Sequence, residues 1–169
     1  MALSDQPAER HRQIAQLFTD RVKGTRDWDA PSPVAGWAAR DVVRHLTEWL
    51  PGFLSAGAGI RLPGGPSADE DPVGAWEAHC AAVQALLDDP ATPGRVLANP
   101  HIGELPLDRA VDQFYTPDVF MHTWDLARAT GQDPPRKSAT RHPGQQPRAG
   151  PQCAMAGATR RASRTDPGR

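Results

Sequence analysis

Leu126 is the last leucine, isoleucine, valine, phenylalanine, tryptophan or tyrosine in this chain of 169 residues. The 43 residues after it have Cys153 and Met155 as their only large apolar side chains, too little surface to bury against the entropy of ordering them. A core must therefore come from the earlier part of the chain. Residues 1–131 read as the folded domain, closed by Gly131 as a helix C-cap, and 132–169 as a basic, disordered tail. Charge divides at nearly the same place. Residues 1–135 carry 11 Lys and Arg against 19 Asp and Glu, net -8, whereas 136–169 carry 8 against the single Asp166, net +7. The overall net charge of -1 and the apolar fraction of 38% average two unlike parts.

No window approaches 18 consecutive apolar residues, and the first ten residues lack a basic stretch leading into an apolar one, so neither a membrane span nor a secretory signal is expected and a cytoplasmic location follows. Cys80 and Cys153 lie 73 positions apart with no Cys-x-x-Cys pair, which leaves no disulfide framework or zinc ribbon.

Within the folded part the repeating pattern is helical, and no stretch sustains the period-2 alternation of a strand. An all-α domain is expected. The first helix runs from about Ala8 to Lys23, with Ile14, Leu17, Phe18 and Val22 on one stripe and Gly24 at its end. The second, about Ala38 to Ser55, buries Val42, Val43, Leu46, Trp49, Leu50 and Phe53 and kinks late at Pro51. The third, about Asp71 to Asp88, buries Val73, Trp76, Cys80, Val83 and Leu87. The fourth, about Leu107 to Thr130, either bends at Pro117 or restarts there after a Thr116 cap. Helices of this length joined by Pro- and Gly-rich loops fit a four-helix bundle, and the loops are long enough that the helix order need not be simple up-down.

Three residues stand out chemically. Asp118 and His122 are four apart on one helix, so their side chains lie one above the other at roughly 5–6 Å, the relation two ligands of one metal ion need. His45, at the edge of the second helix's apolar stripe, can look into the bundle. On spacing alone a solvated salt bridge or a capped core histidine is the better account of the pair. Asp125, three residues beyond His122, points the same way, either as an acceptor orienting a ligand imidazole or as a salt-bridge partner of Arg128.

The stretches Trp28-Asp-Ala-Pro-Ser-Pro-Val-Ala-Gly-Trp-Ala-Ala-Arg-Asp-Val-Val-Arg-His-Leu and Phe114-Tyr-Thr-Pro-Asp-Val-Phe-Met-His-Thr-Trp-Asp-Leu-Ala-Arg-Ala-Thr-Gly closely resemble the DinB-like metal-binding superfamily, in the branch related to mycothiol-dependent maleylpyruvate isomerase. The resemblance spans about residues 8–133. It implies a four-helix bundle holding a divalent metal, usually zinc, by one His on the second helix and an acid-x-x-x-His pair on the fourth, which here are His45, Asp118 and His122. In the isomerase the acidic ligand is Glu, one methylene longer than Asp118, and a separate C-terminal domain contributes to the active site. Such a ligand set also suits nickel and iron. The resemblance further implies a mycothiol-like small-molecule thiol, ionised at the metal, that attacks an electrophilic substrate in transfer or isomerisation. No side chain is assigned a catalytic role of its own. The rival reading is a non-catalytic metal-binding or stress-related interaction module; a homodimer is compatible with both.

Other candidates carry less. His11 falls on the apolar face of the first helix and reads as a partly buried histidine. His79 and Cys80 are adjacent and cannot chelate one ion from a helix, so Cys80 reads as a core thiol. His101 lies in the loop Asn99-Pro-His-Ile-Gly and reads as a solvated histidine rather than one lining the site mouth, Glu48 projects to the polar side, and Trp28, Trp37, Trp49, Trp76 and Trp124 read as packing. The tail's arginines, interspersed with Pro, Gly, Gln and Ala and without aromatics, fit a solvated segment better than a nucleic-acid contact. Because relatives of this kind continue with another apolar helix, a reading frame shifted shortly after Asp133 is a further account of the tail.

Overall fold

The computed structural model describes residues 2–132; the expectations for 133–169, disorder, nucleic-acid contact and a shifted frame among them, fall outside the described residues. Helix α1 (Pro7–Gly24) begins on a proline, whose missing N–H would have had no helical partner there. Its buried arc is His11, Ile14, Ala15, Phe18 and Val22. Leu17 was expected on that arc, but it is 45% exposed, because at 100° per residue it falls beyond the edge marked by Ile14. Helix α2 (Ala39–Ala58) is started by Asp41, whose carboxylate accepts the Ala38 N–H at 2.7 Å. It buries Val42, Val43, Leu46, Leu50 and Leu54. The helix continues through Pro51 and ends at Gly59 (φ 66°), where the Gly59 and Ile60 N–H groups bond the carbonyls of Ser55 and Leu54.

Helix α3 (Pro72–Asp88) is capped by Asp71, which accepts the Gly74 N–H at 2.9 Å. Its buried stripe runs through Ala75, Trp76, His79, Val83, Leu86 and Leu87. The stripe is centred on His79, one position before the expected Cys80, so Val73 and Cys80 are only partly buried.

A four-residue α-helical turn α4 (Leu107–Ala110), a π-helical turn (Val111–Tyr115) and helix α5 (Thr116–Ala129) run on without a break in helical backbone. Pro117 neither ends the helix nor follows a Thr116 cap. A proline ring crowds the carbonyl four residues back and offers no N–H, and the wide π turn placed just before it lets the chain continue. The Thr116 hydroxyl instead meets His11 Nδ1 at 3.0 Å. At the far end Gly131 is left-handed (φ 67°) and the Gln132 N–H bonds the Ala127 carbonyl at 2.8 Å, the 6→1 bond of a Schellman ending.

The all-α reading holds, with one addition. Residues Val96–Asn99 (β1) and Gly103–Pro106 (β2) pair antiparallel as a small hairpin, Leu97 opposite Leu105, with Leu97 buried. Strands of four residues are too short to display a period, so the sequence read this stretch as loop. Helix α1 packs against α3 and α5, and α2 packs against the same two. The first two helices in the chain are thus diagonal rather than adjacent, and α2 and α5 are neighbours. Phe18, Leu46, Leu50, Trp76, Tyr115 and Leu126 are among the fully buried side chains between them. Among the described residues no helix is long and apolar enough to cross a membrane.

Candidate metal centre

Packing α2 against α5 brings two one-turn pairs face to face: His45 and Trp49 from α2, Asp118 and His122 from α5. Leu46 and Leu50 on one side, and Val119 and Leu126 on the other, are fully buried, which turns the adjoining edges of the helices toward each other. His45 Nε2 lies 3.1 Å from Asp118 Oδ2, and His122 Nε2 lies 3.5 Å from Asp118 Oδ1. The two imidazoles meet edge to face at 4.9 Å between centroids. One ligand atom from each of His45, Asp118 and His122 falls within 4.8 Å of the other two.

The polarity of this cluster is informative. His122 Nδ1 is 2.8 Å from Asp125 Oδ2, and an ionised carboxylate only accepts, so Nδ1 carries the proton. In the neutral ring Nε2 then presents a lone pair, and it presents it to Asp118 Oδ1. Two acceptors facing each other at 3.5 Å repel unless a cation or proton lies between them. Separations of 3.1 and 3.5 Å also bracket the roughly 3.3 Å between two ligands bonded at about 2.0–2.1 Å to a tetrahedral ion. The residues therefore fit a divalent metal.

Two tryptophans read from the sequence as packing belong to the site. Trp49 Nε1–H donates to Asp118 Oδ2 at 2.9 Å, holding the short carboxylate in place. Trp37 lies 23° from parallel to the His122 ring at 5.9 Å and tilts against His45 at 5.2 Å. The signal for Trp49 was its position one turn after His45. Trp37 sits in the loop held to α2 by an isolated bridge between Pro31 and Ala38, and no spacing rule reaches it. Of the other indoles, Trp76 is buried and donates to Thr19 Oγ1 at 2.9 Å, whereas Trp124 is 53% exposed.

Behind the site lies a layer of buried polar aromatics. The Tyr115 hydroxyl is 2.9 Å from His79 Nε2 and 3.3 Å from the Leu46 carbonyl, and its ring packs against Trp49 at 5.6 Å. Burial pushes the Tyr115 phenol well above its ordinary pKa, so it stays a neutral hydrogen-bonding group. Burial likewise lowers His79 to about 4, and burial with the neighbouring His79 and Arg12 charges lowers His11 to about 4. Both are neutral core residues remote from ligation; His11 is fully rather than partly buried. Burial pushes the Cys80 thiol up, which keeps it protonated. His101 and Glu48 are exposed.

A mostly helical domain of four long helices with two imidazoles and a carboxylate converging between the second and the last defines the class. The family described as the mycothiol maleylpyruvate isomerase N-terminal domain matches residues 11–127, and the chain belongs to that family. Two relatives from Mycobacterium tuberculosis, uncharacterized protein Rv0738 of strain H37Rv and uncharacterized protein MT0763 of strain CDC 1551, are each 30% identical over 132 residues. In both cases the match covers 75% of this chain and 68% of the relative. No solved structure matches.

Proposed function

We propose that residues 1–131 form a divalent metal-binding domain in which His45, Asp118 and His122 hold zinc, or nickel or iron, and that the site serves a small-molecule thiol of the mycothiol kind in transfer to, or isomerisation of, an electrophilic substrate. The observation that carries this is the convergence of one ligand atom from each of His45, Asp118 and His122 within 4.8 Å, with His122 Nε2 3.5 Å from the Asp118 carboxylate and its Nδ1 2.8 Å from Asp125. The family's name, which pairs mycothiol with an isomerase, supports the thiol. A divalent metal held by these three residues would supply Lewis acidity, enough to ionise a thiol near neutral pH.

The chain's own groups have distinct tasks. Trp49 donates to Asp118 and keeps its second oxygen turned toward His122. Asp125 selects the tautomer of His122 and adds to its basicity. Trp37 covers one face of both imidazoles and restricts the approach of water from that side. His45 is the most accessible of the three, with its side chain 31% exposed against 17% for Asp118 and 12% for His122, so incoming reactants meet the site beside it.

Elemental analysis of the purified protein, of His122→Ala and of Asp118→Ala tests the reading. Near-stoichiometric metal in the parent and its loss in both variants is expected; a parent that never holds stoichiometric metal overturns it. Stoichiometric metal without turnover of any thiol and electrophile pair would favour a non-catalytic metal-binding module.

A further inference from the structure

Two grooves meet at His45, and their chemistry differs. One, of about 400 Å³, is lined by Gly36, Trp37, Asp41, Arg44 and Glu48 and offers the charged and polar contacts a hydrophilic thiol requires. The other, of about 350 Å³, leads from His45 and Asp118 past Trp49, Phe53, Phe114 and Ile102, with Asn99 also lining it. Its aromatic wall is continuous: Trp49 and Phe53 are 5.8 Å apart, and Phe53 meets Phe114 edge to face at 6.1 Å. No lysine or arginine lines this second groove, and the one carboxylate in it is Asp118. Along the aromatic wall a substrate carboxylate would lose its hydration and find no lysine or arginine in exchange, and in metal-free protein it would also meet the like charge of Asp118.

One neutral donor is suited to a carbonyl. Asn99 Oδ1 accepts the His101 N–H at 2.9 Å, which sets the amide and turns its NH2 to donor duty. The Trp49 N–H is already given to Asp118. An apolar wall of three aromatic rings inclined to one another, 59° between Trp49 and Phe53 and 68° between Phe53 and Phe114, offers edge-to-face contacts to an aromatic ring, and one amide donor beside it suits an uncharged carbonyl.

We propose that this groove is the electrophile subsite and that it takes uncharged aromatic α,β-unsaturated carbonyl compounds, an assignment that rests on the thiol-activating reading above. In the addition, the thiolate sulfur forms a bond to the β carbon, the C=C π pair moves to the α carbon, and that carbon takes up the proton the thiol released. The thiol and the enone sum to the product, and no oxidant or further reactant is consumed.

The probes are benzylideneacetone and cinnamate, which share the ring and double bond and differ in ending as a methyl ketone or a carboxylate. Binding is followed by calorimetry on the full chain, as purified and after chelator treatment, with metal content measured on the same samples. Chelator treatment removes any direct metal contact with cinnamate from the comparison. The ketone is expected to bind about tenfold more tightly than cinnamate in chelator-treated protein. Phe114→Ala should weaken the ketone by about two- to tenfold with unchanged metal content and circular dichroism. Ile102→Lys, on the partly buried rim, should shift the preference toward cinnamate.

Equal or tighter binding of cinnamate by the parent, no binding of either probe, or no response to both substitutions overturns the assignment. Ketone preference in a protein that holds no metal would leave the groove standing and remove the metal reading. Stoichiometric metal without ketone preference would do the reverse.

Discussion

Replacing His11 by leucine should make the protein markedly less sensitive to mild acid. His11 is fully buried at the middle of the inward arc of α1, with Nδ1 on Thr116 Oγ1 and Nε2 without a partner. Its folded pKa is about 4 against an ordinary 6.5. Above pH 6.5 the ring is neutral whether the chain is folded or not, and it adds no pH dependence. Between 6.5 and 4 the unfolded chain binds the proton and the folded chain refuses it, so stability falls as the pH falls. Linkage between those two values gives a loss of about 2 kcal/mol from pH 7 to pH 5. His79, held at about 4 by burial alone, adds a similar amount, although the two are coupled and do not simply add. Leucine has nearly the volume of histidine and no unpartnered nitrogen, and Thr116 can turn its hydroxyl to its own helix. At pH 7 the substitution should therefore change stability by no more than about 1 kcal/mol. Urea unfolding at pH 7 and pH 5, both in chelator, reads the effect. With a slope near 2 kcal/mol/M, the acid-induced fall in midpoint should be about 1 M smaller in His11→Leu than in the parent. An identical fall in the two proteins would refute the assignment of the acid sensitivity to this buried ring.

Three further outcomes are expected. Asp125→Leu leaves His122 without its acceptor and should lower metal affinity by about 10- to 100-fold, read by competition with a chelating dye. Tyr115→Phe strips the hydroxyl that joins His79 Nε2 to the Leu46 carbonyl and should lower stability by about 1–3 kcal/mol at pH 7 in urea unfolding. Gly131→Ala forces a side chain onto a left-handed residue and should cost about 1–2 kcal/mol, with raised amide exchange at Gln132 as the local signature.

Much of the fold was legible because helical periodicity and capping are local. Asp71 before Pro72 and Gly131 after Thr130 marked real helix ends. The misses are also physical. Leu17 and Cys80 are apolar, yet each lies at the margin of its helix's buried arc, and polarity alone does not show where that arc is centred. The burial of His79 has no local sequence signal, because the partner that satisfies its ring nitrogen, Tyr115, lies 36 positions away. The π turn that accommodates Pro117 was invisible because proline's sequence signal is the same whether a helix bends, restarts or widens.

By itself the sequence determined that the chain is mainly helical, that its large apolar side chains stop at Leu126, and that Asp118, His122 and Asp125 share one face, since a spacing of three or four residues on a helix has one geometric outcome. It could place His45 at the inward edge of its helix, but joined it to the pair only by resemblance, because spacing says nothing about which helices become neighbours. The tertiary structure decided that α2 lies beside α5. In doing so it brought His45 to 3.1 Å from Asp118, placed Trp49 on the same carboxylate and Trp37 over both imidazoles, and opened an apolar groove beside a polar one. The reason is one of range: a helix's faces are set by contacts a few residues apart, whereas the partners of those faces are set by packing across long loops, where the pairing that buries the most apolar surface prevails.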